Sequence, residues 1–204
     1  ENKDKKLVYL YTTDKDEQHT FIASAIDKGY DVLDMDGVLD NHFINTLEQK
    51  FENSTFARVD ADIIDKIIQK EDAQPSKLSE KEQEKIKPVF EKFATKENYS
   101  ILFESLSETD QPVIITQPEF MRRMKDMSKI GGGGMDYMGQ MPDSYNLVVN
   151  SNHKLISEIL EEKDNNKQED LVKQVTDLAR LSQNLLKGQE LTDFIKRSVD
   201  MIGK

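Results

Sequence analysis

The chain has 204 residues, with 28 Lys plus Arg against 39 Asp plus Glu, a formal charge of −11 at pH 7. Hydrophobic residues make up 36% and charged residues 33%, so the apolar supply is thin for one large core and favours two small ones. The acidic balance and the lack of a concentrated Lys/Arg run exclude duplex nucleic acid as the main partner, because that polyanion is held by a basic face that releases counterions.

The run Leu7 to Thr13 is β-branched and aromatic and predicts a buried strand. Asp14 offers a helix cap, and Phe21, Ile22, Ala25 and Ile26 between Lys15 and Lys28 share one helical face. Gly29 stands where a left-handed C-terminal cap is wanted. Tyr30 to Met35 predicts a second strand, Phe43, Ile44 and Leu47 a second helix, and Phe56 to Val59 a third strand. This β-α-β-α-β order implies a small, mostly parallel sheet. From Gln69 to Pro88 the composition turns to Lys, Glu, Asp, Ser and Pro. The predicted division is therefore a small α/β unit over 1–70, a charged linker or helix over 71–88, and a second domain over 89–204.

The second domain opens with Val89, Phe90 and Phe93. Strands follow at Tyr99 to Leu106 and Pro112 to Thr116, joined by either a hairpin or a crossover. The segment Phe120 to Met141 holds six of the chain's eight methionines and the glycines Gly131 to Gly134. Met121, Met124 and Met127 recur every three residues. Such a stripe is either core filling or an adaptable binding surface. The second reading is favoured here, because Arg122, Arg123, Lys125 and Asp126 interrupt the stripe on several sides. Phe120, Met121, Met124 and Met127 are then a surface for varied apolar segments. A third strand spans Tyr145 to Val149, and Leu155, Ile156, Ile159 and Leu160 mark a helix.

Two helices close the chain. The first carries a wide stripe from Leu171 through Leu186 and is predicted to stop at Gly188; the second repeats the pattern over Leu191, Phe194, Ile195, Val199 and Ile202. These stripes either cover the sheet of the second domain or pair with a second copy. In the pairing arrangement Leu178, Leu181, Leu185, Leu186, Leu191, Phe194, Ile195, Val199 and Ile202 form a four-helix bundle across a two-fold axis. The fold class is thus α/β passing to α+β, with a helical hairpin at the end.

Chemical motifs are sparse. Asp34-Met35-Asp36-Gly37 after a strand resembles the first motif of haloacid-dehalogenase-type phosphatases, with Asp34 as nucleophile, Asp36 as acid and base, and Mg²⁺ screening the charge. The later acidic motif of that family is missing, since no glycine here is followed by aspartate. The four glycines lack the G-K-[ST] of a phosphate-binding loop. His19, His42 and His153 have no metal-ligand spacing, so no metal site is expected. Zero cysteines exclude disulfides and thiol catalysis and fit a cytoplasmic setting. No apolar run approaches the ~20 residues of a membrane span, so no membrane partner is expected. A start at Glu1 without methionine suggests a fragment.

Several strings together point further. Val8-Tyr9-Leu10-Tyr11-Thr12, Lys28-Gly29-Tyr30-Asp31-Val32-Leu33 and Leu39-Asp40 resemble the end of the middle domain of the ninety-kilodalton heat-shock chaperones, above all their bacterial form. Gln111-Pro112-Val113-Ile114-Ile115, Met124-Lys125, Leu147-Val148-Val149-Asn150 with His153, and Leu185-Leu186-Lys187-Gly188 are similar to that family's C-terminal dimerisation domain. The resemblance covers nearly the whole chain in the correct order. It implies the C-terminal part of a longer ATP-dependent chaperone, with the ATP and Mg²⁺ site and a catalytic arginine in regions outside these residues. The fragment itself is then not an enzyme. It further implies homodimerisation by the terminal helices and contact with unfolded or partly folded client proteins through a helix matching Phe120 to Met127. The chain departs from the family at Val38, where proline is usual, and at Asn41 and His42. It ends Met201-Ile202-Gly203-Lys204 without the acidic pentapeptide of eukaryotic cytosolic members, so docking of tetratricopeptide co-chaperones is not expected.

Overall fold

The computed structural model describes residues 2, 4–37, 39–68, 74–94, 98–121 and 144–203, apart from the side chains of Asn41, His42 and Asn98. Two compact units emerge, Glu1–Ala73 with Thr116–Met141 and Gln74–Ile115 with Pro142–Lys204.

In the first unit β1 (Leu7–Thr12), α1 (His19–Asp27), β2 (Leu33–Asp34), α2 (Asp40–Lys50) and β3 (Ser54–Arg58) follow in the predicted order, with α3 (Ile64–Ile67) after them. All three strands run parallel in the order β2-β1-β3, with Tyr11 opposite Leu33 and Tyr9 opposite Phe56. Tyr11, Ile44 and Phe56 form the core against α2, and Tyr9 stacks on Phe56 at 4.8 Å between ring centres. Strand β2 is shorter than the predicted Tyr30 to Met35. Its partner β1 ends at Thr12, whose carbonyl takes the last bond from the Met35 N–H at 2.8 Å.

Helix α1 also starts later than Lys15. The Asp14 carboxylate accepts the N–H groups of Asp16 and Glu17 at 3.0 and 2.9 Å, closing a turn of its own before the helix, as short acidic side chains do. The buried Gln18 then accepts the Thr12 hydroxyl at 2.7 Å and anchors the turn to β1. At the other end Gly29 takes φ +80°, with Gly29 N–H on the Ile26 carbonyl and Tyr30 N–H on Ala25. That is the left-handed cap read from the sequence.

The second unit contains α4 (Glu80–Phe93), β4 (Asn98–Glu104), most of β5 (Val113–Thr116), β6 (Ser144–Asn150), α5 (Lys154–Glu161), α6 (Asn165–Ser182) and α7 (Gly188–Ile202). Helix α4 begins within the charged stretch, where the Glu82 carboxylate accepts both the Ser79 N–H at 2.8 Å and its hydroxyl at 2.7 Å. The sheet order is β4-β6-β5, and β4 pairs with β6 in parallel from Asn98 opposite Ser144 to Glu104 opposite Asn150. The connection from β4 to β5 is therefore not a hairpin, because β6 lies between them. Phe90, Leu147, Val149, Ile156, Ile159 and Val172 are fully buried in one core with Val175 and Ala179. Phe90 meets Phe103 edge-to-face with ring centres 6.5 Å apart.

The closing hairpin differs from the sequence expectation at its turn. Helix α6 stops at Ser182, ahead of Gly188. Asn184 adopts φ 56°, its N–H binds the Leu181 carbonyl and the Leu185 N–H binds the Arg180 carbonyl, the paired bonds of a Schellman stop with asparagine in the left-handed position. Leu185 and Leu186 thus sit in the loop and not on the helical stripe. Leu185 packs on the core and Leu186 is buried.

Candidate functional site

The apolar stripe of α6 splits into two faces. Val172, Val175 and Ala179 point into the core, while Leu178 and Leu181, three residues apart, remain exposed. On α7 only Phe194 is buried. Ile195, Val199 and Ile202, spaced as one helical face, are exposed, Ile202 at 87%; Leu191 is half-buried. Single exposed apolar side chains are ordinary, but five at helical spacing on two consecutive helices make these residues the candidate interaction face.

Beneath that face the two helices are joined by charge. Asp177 on α6 is buried, and its Oδ2 accepts from Lys173 Nζ at 2.8 Å and from Arg197 of α7 at 2.6 Å. The buried Arg180 reaches Glu190 in the first turn of α7 at 3.0 Å. Arg197 Nε also donates to Gln174 Oε1 at 2.8 Å, and Gln174 Nε2 donates to the Ser198 hydroxyl at 2.9 Å. The sequence reading missed this network. Its trace was present in Asp177 and Arg180, two charges three residues apart inside an apolar stripe.

The other candidate residues fall elsewhere. Helical backbone begins at Glu119, Phe120 is 71% exposed and Met121 is half-buried. Met124, Met127 and Gly131 to Gly134 lie outside the described residues. Asp34 ends β2 in an ion pair with Lys15, whose pKa is raised by its hydrogen bond to that carboxylate. Gly37 N–H donates to the Asp40 carboxylate at 2.9 Å while Asp40 N–H returns to the Gly37 carbonyl at 3.0 Å, so the D-x-D-G string folds as a turn into α2. Among the described residues no three His, Asp or Glu side chains gather as a metal site requires. His153 accepts the Leu155 N–H at 3.1 Å and caps α5.

The model of the Hsp90 protein family matches residues 1–202. The chain belongs to the Hsp90 family. It is 35% identical to the chaperone protein HtpG of Bacteroides thetaiotaomicron, over 98% of this chain and 39% of that protein. It is 36% identical to the chaperone protein HtpG of Bacteroides fragilis over the same shares. It is 44% identical to the chaperone protein HtpG of Porphyromonas gingivalis over 78% of this chain and 24% of that protein. The chain therefore spans 39% or less of the length of these relatives. With the family match over nearly the whole chain and the Gly37–Asp40 bonds leading into α2, the phosphatase reading is set aside. Among the described residues no helix is long and apolar enough to cross a membrane.

Proposed function

We propose that this chain is the dimerisation and client-contact region of an ATP-dependent molecular chaperone of the bacterial HtpG type. The observation that carries the proposal is the exposed face of Leu178, Leu181, Ile195, Val199 and Ile202 on α6 and α7. Two copies of that face, related by a two-fold, make a four-helix bundle with an isologous core, and Leu185, Leu186, Leu191 and Phe194 back it from the protomer side. In this reading residues 1–70 close a middle domain, 71–88 link it to the next, and 89–204 form the dimerisation domain. The longer protein works in the cytoplasm and holds ATP and Mg²⁺ outside this region, so no step here passes through them.

The dimer keeps two clamp arms at high effective concentration and makes their closure an intramolecular event. Clients are unfolded or partly folded proteins that gain apolar contact from Phe120, Met121, Met124 and Met127. The unbranched thioether side chains adapt to varied partners, and the −11 charge favours basic or neutral segments over acidic ones.

The test is binding of a fluorescently labelled, permanently unfolded model protein to the chain, with Met121, Met124 and Met127 replaced together by Ser. The expected result is loss of client binding with the dimer intact. Unchanged binding overturns the client assignment.

A further inference from the structure

The charge network between α6 and α7 has more structure than helix packing requires. Burying charge costs desolvation, and a buried ion pair is often matched or bettered in stability by apolar side chains of similar size. This hairpin already has apolar residues to spare. What the network supplies and an apolar contact does not is directional definition.

The geometry is that of a ruler. Arg197 spans two acceptors one helical turn apart on α6, Gln174 at 2.8 Å through Nε and Asp177 at 2.6 Å through its terminal nitrogen. The next residue of α7, Ser198, takes the amide hydrogen of the same Gln174 at 2.9 Å and passes its own hydrogen to the Phe194 carbonyl at 2.8 Å. Both ends of one amide are thus read by consecutive residues of the facing helix. A second attachment, Arg180 to Glu190, lies seven residues earlier on α7, about 10 Å along its axis. Two attachments at that separation fix a line, and with it the crossing angle and rotation of α7. Sliding α7 by one turn, about 5.4 Å, or rotating it by one residue breaks every one of the bonds that cross between the helices. Ile195, Val199 and Ile202 would then be displaced relative to Leu178 and Leu181.

We infer that Gln174, Asp177, Arg180, Glu190 and Arg197 form a register lock that sets the geometry of the self-association face, with a second copy of this chain as its partner. They are positioning residues and act through the exposed apolar side chains. The inference rests on the dimer reading above.

The test compares the full chain with Arg197→Lys and with the paired replacement Asp177→Leu, Arg197→Met. Lysine keeps the charge but cannot span Gln174 and Asp177 together; the apolar pair keeps the hairpin packed without the lock. Dimer dissociation constants come from sedimentation velocity over a dilution series, and monomer stability from urea unfolding in an Ile195→Asp background. The expected result is a rise in the dissociation constant of about tenfold in both variants, within the range for residues coupled in one ionic network, with helical circular dichroism unchanged. The apolar pair is further expected to be at least as resistant to urea as its parent. Dissociation constants within twofold of the parent overturn the lock and leave the dimer reading standing. Weakened association that tracks an equal loss of monomer stability in both variants also overturns it, since the network is then only packing. A parent chain that stays monomeric at every concentration overturns both.

Discussion

Replacing Asn152 gives a cost that can be worked out atom by atom. The side chain is buried just beyond β6; its Oδ1 accepts the Lys77 N–H at 2.8 Å and its Nδ2 donates to the Pro75 and Leu106 carbonyls at 3.2 and 3.1 Å. It therefore ties the segment leading into α4 to the loop after β4. Asn152→Ala removes all three bonds. Pro75 and Lys77 are exposed and recover water, so each loses only a net bond, while the Leu106 carbonyl is stranded in the interior. With about 1 kcal/mol for each net bond and about 1–3 for the stranded group, the expected loss is about 3–5 kcal/mol. That lowers the melting temperature of a unit of roughly a hundred residues by about 10 °C or more. Asn152→Asp keeps the acceptor for Lys77 but turns a carboxylate oxygen toward two carbonyls, so at neutral pH it costs more than alanine. The assay is urea and thermal unfolding followed by far-ultraviolet circular dichroism, dominated by α4 to α7. An alanine variant within about 0.5 kcal/mol of the parent, or an aspartate variant more stable than the alanine one, would refute the reasoning.

Other outcomes follow from the same structure. Phe90→Ala empties a fully buried site beside Phe103 and is expected to cost about 3–5 kcal/mol in the same unfolding assay. The Glu82 pKa is lowered, first by the Ser79 hydroxyl and then by the Ser79 backbone N–H. A depressed folded-state pKa means that this contribution is present above the ordinary glutamate range and fades as pH falls through the folded value. Glu82→Gln should therefore flatten the acid limb of a stability-against-pH profile, and an unchanged limb would count against the contact. Asp34→Asn breaks the exposed pair with Lys15 and is expected to leave dimer mass and client binding as they were; loss of either would reopen a role for that turn. Gly188 holds φ +58° at the start of α7, so Gly188→Ala is expected to cost about 1 kcal/mol in urea unfolding.

The sequence revealed most where one physical rule dominates. Alternation of strands and helices dictated parallel pairing in the first sheet, and Gly29 marked a left-handed cap because few other residues adopt that backbone at so little cost. The hairpin turn was less legible. Asparagine does the work of glycine at position 184, while Leu185 and Leu186 continue a helical stripe in sequence although the chain has left the helix to pack them against the core. Periodicity alone cannot separate a leucine on a helix from one folded back beneath it. The exposed face was legible as a surplus of apolar residues, but its division from the buried face was not, since Leu178 and Ala179 differ only in which side of α6 they occupy. The ionic network was hidden for a related reason: Asp177 and Arg180 read as interruptions until Gln174, Glu190 and Arg197 are brought beside them by the fold. The family strings around Leu147 to Asn150 acquire a physical meaning as a buried strand leading into the asparagine-rich knot at Asn150 and Asn152.

The central claim is that the exposed face of α6 and α7 is covered by a second copy. Its most direct test is absolute mass by light scattering behind size exclusion at several concentrations, for the parent chain and for Leu178→Asp with Ile195→Asp. The account predicts a parent mass of twice the 23.5 kDa chain that falls to one chain in the variant, with helical content retained. A parent that remains a single chain throughout, or a variant that keeps the doubled mass, would contradict it.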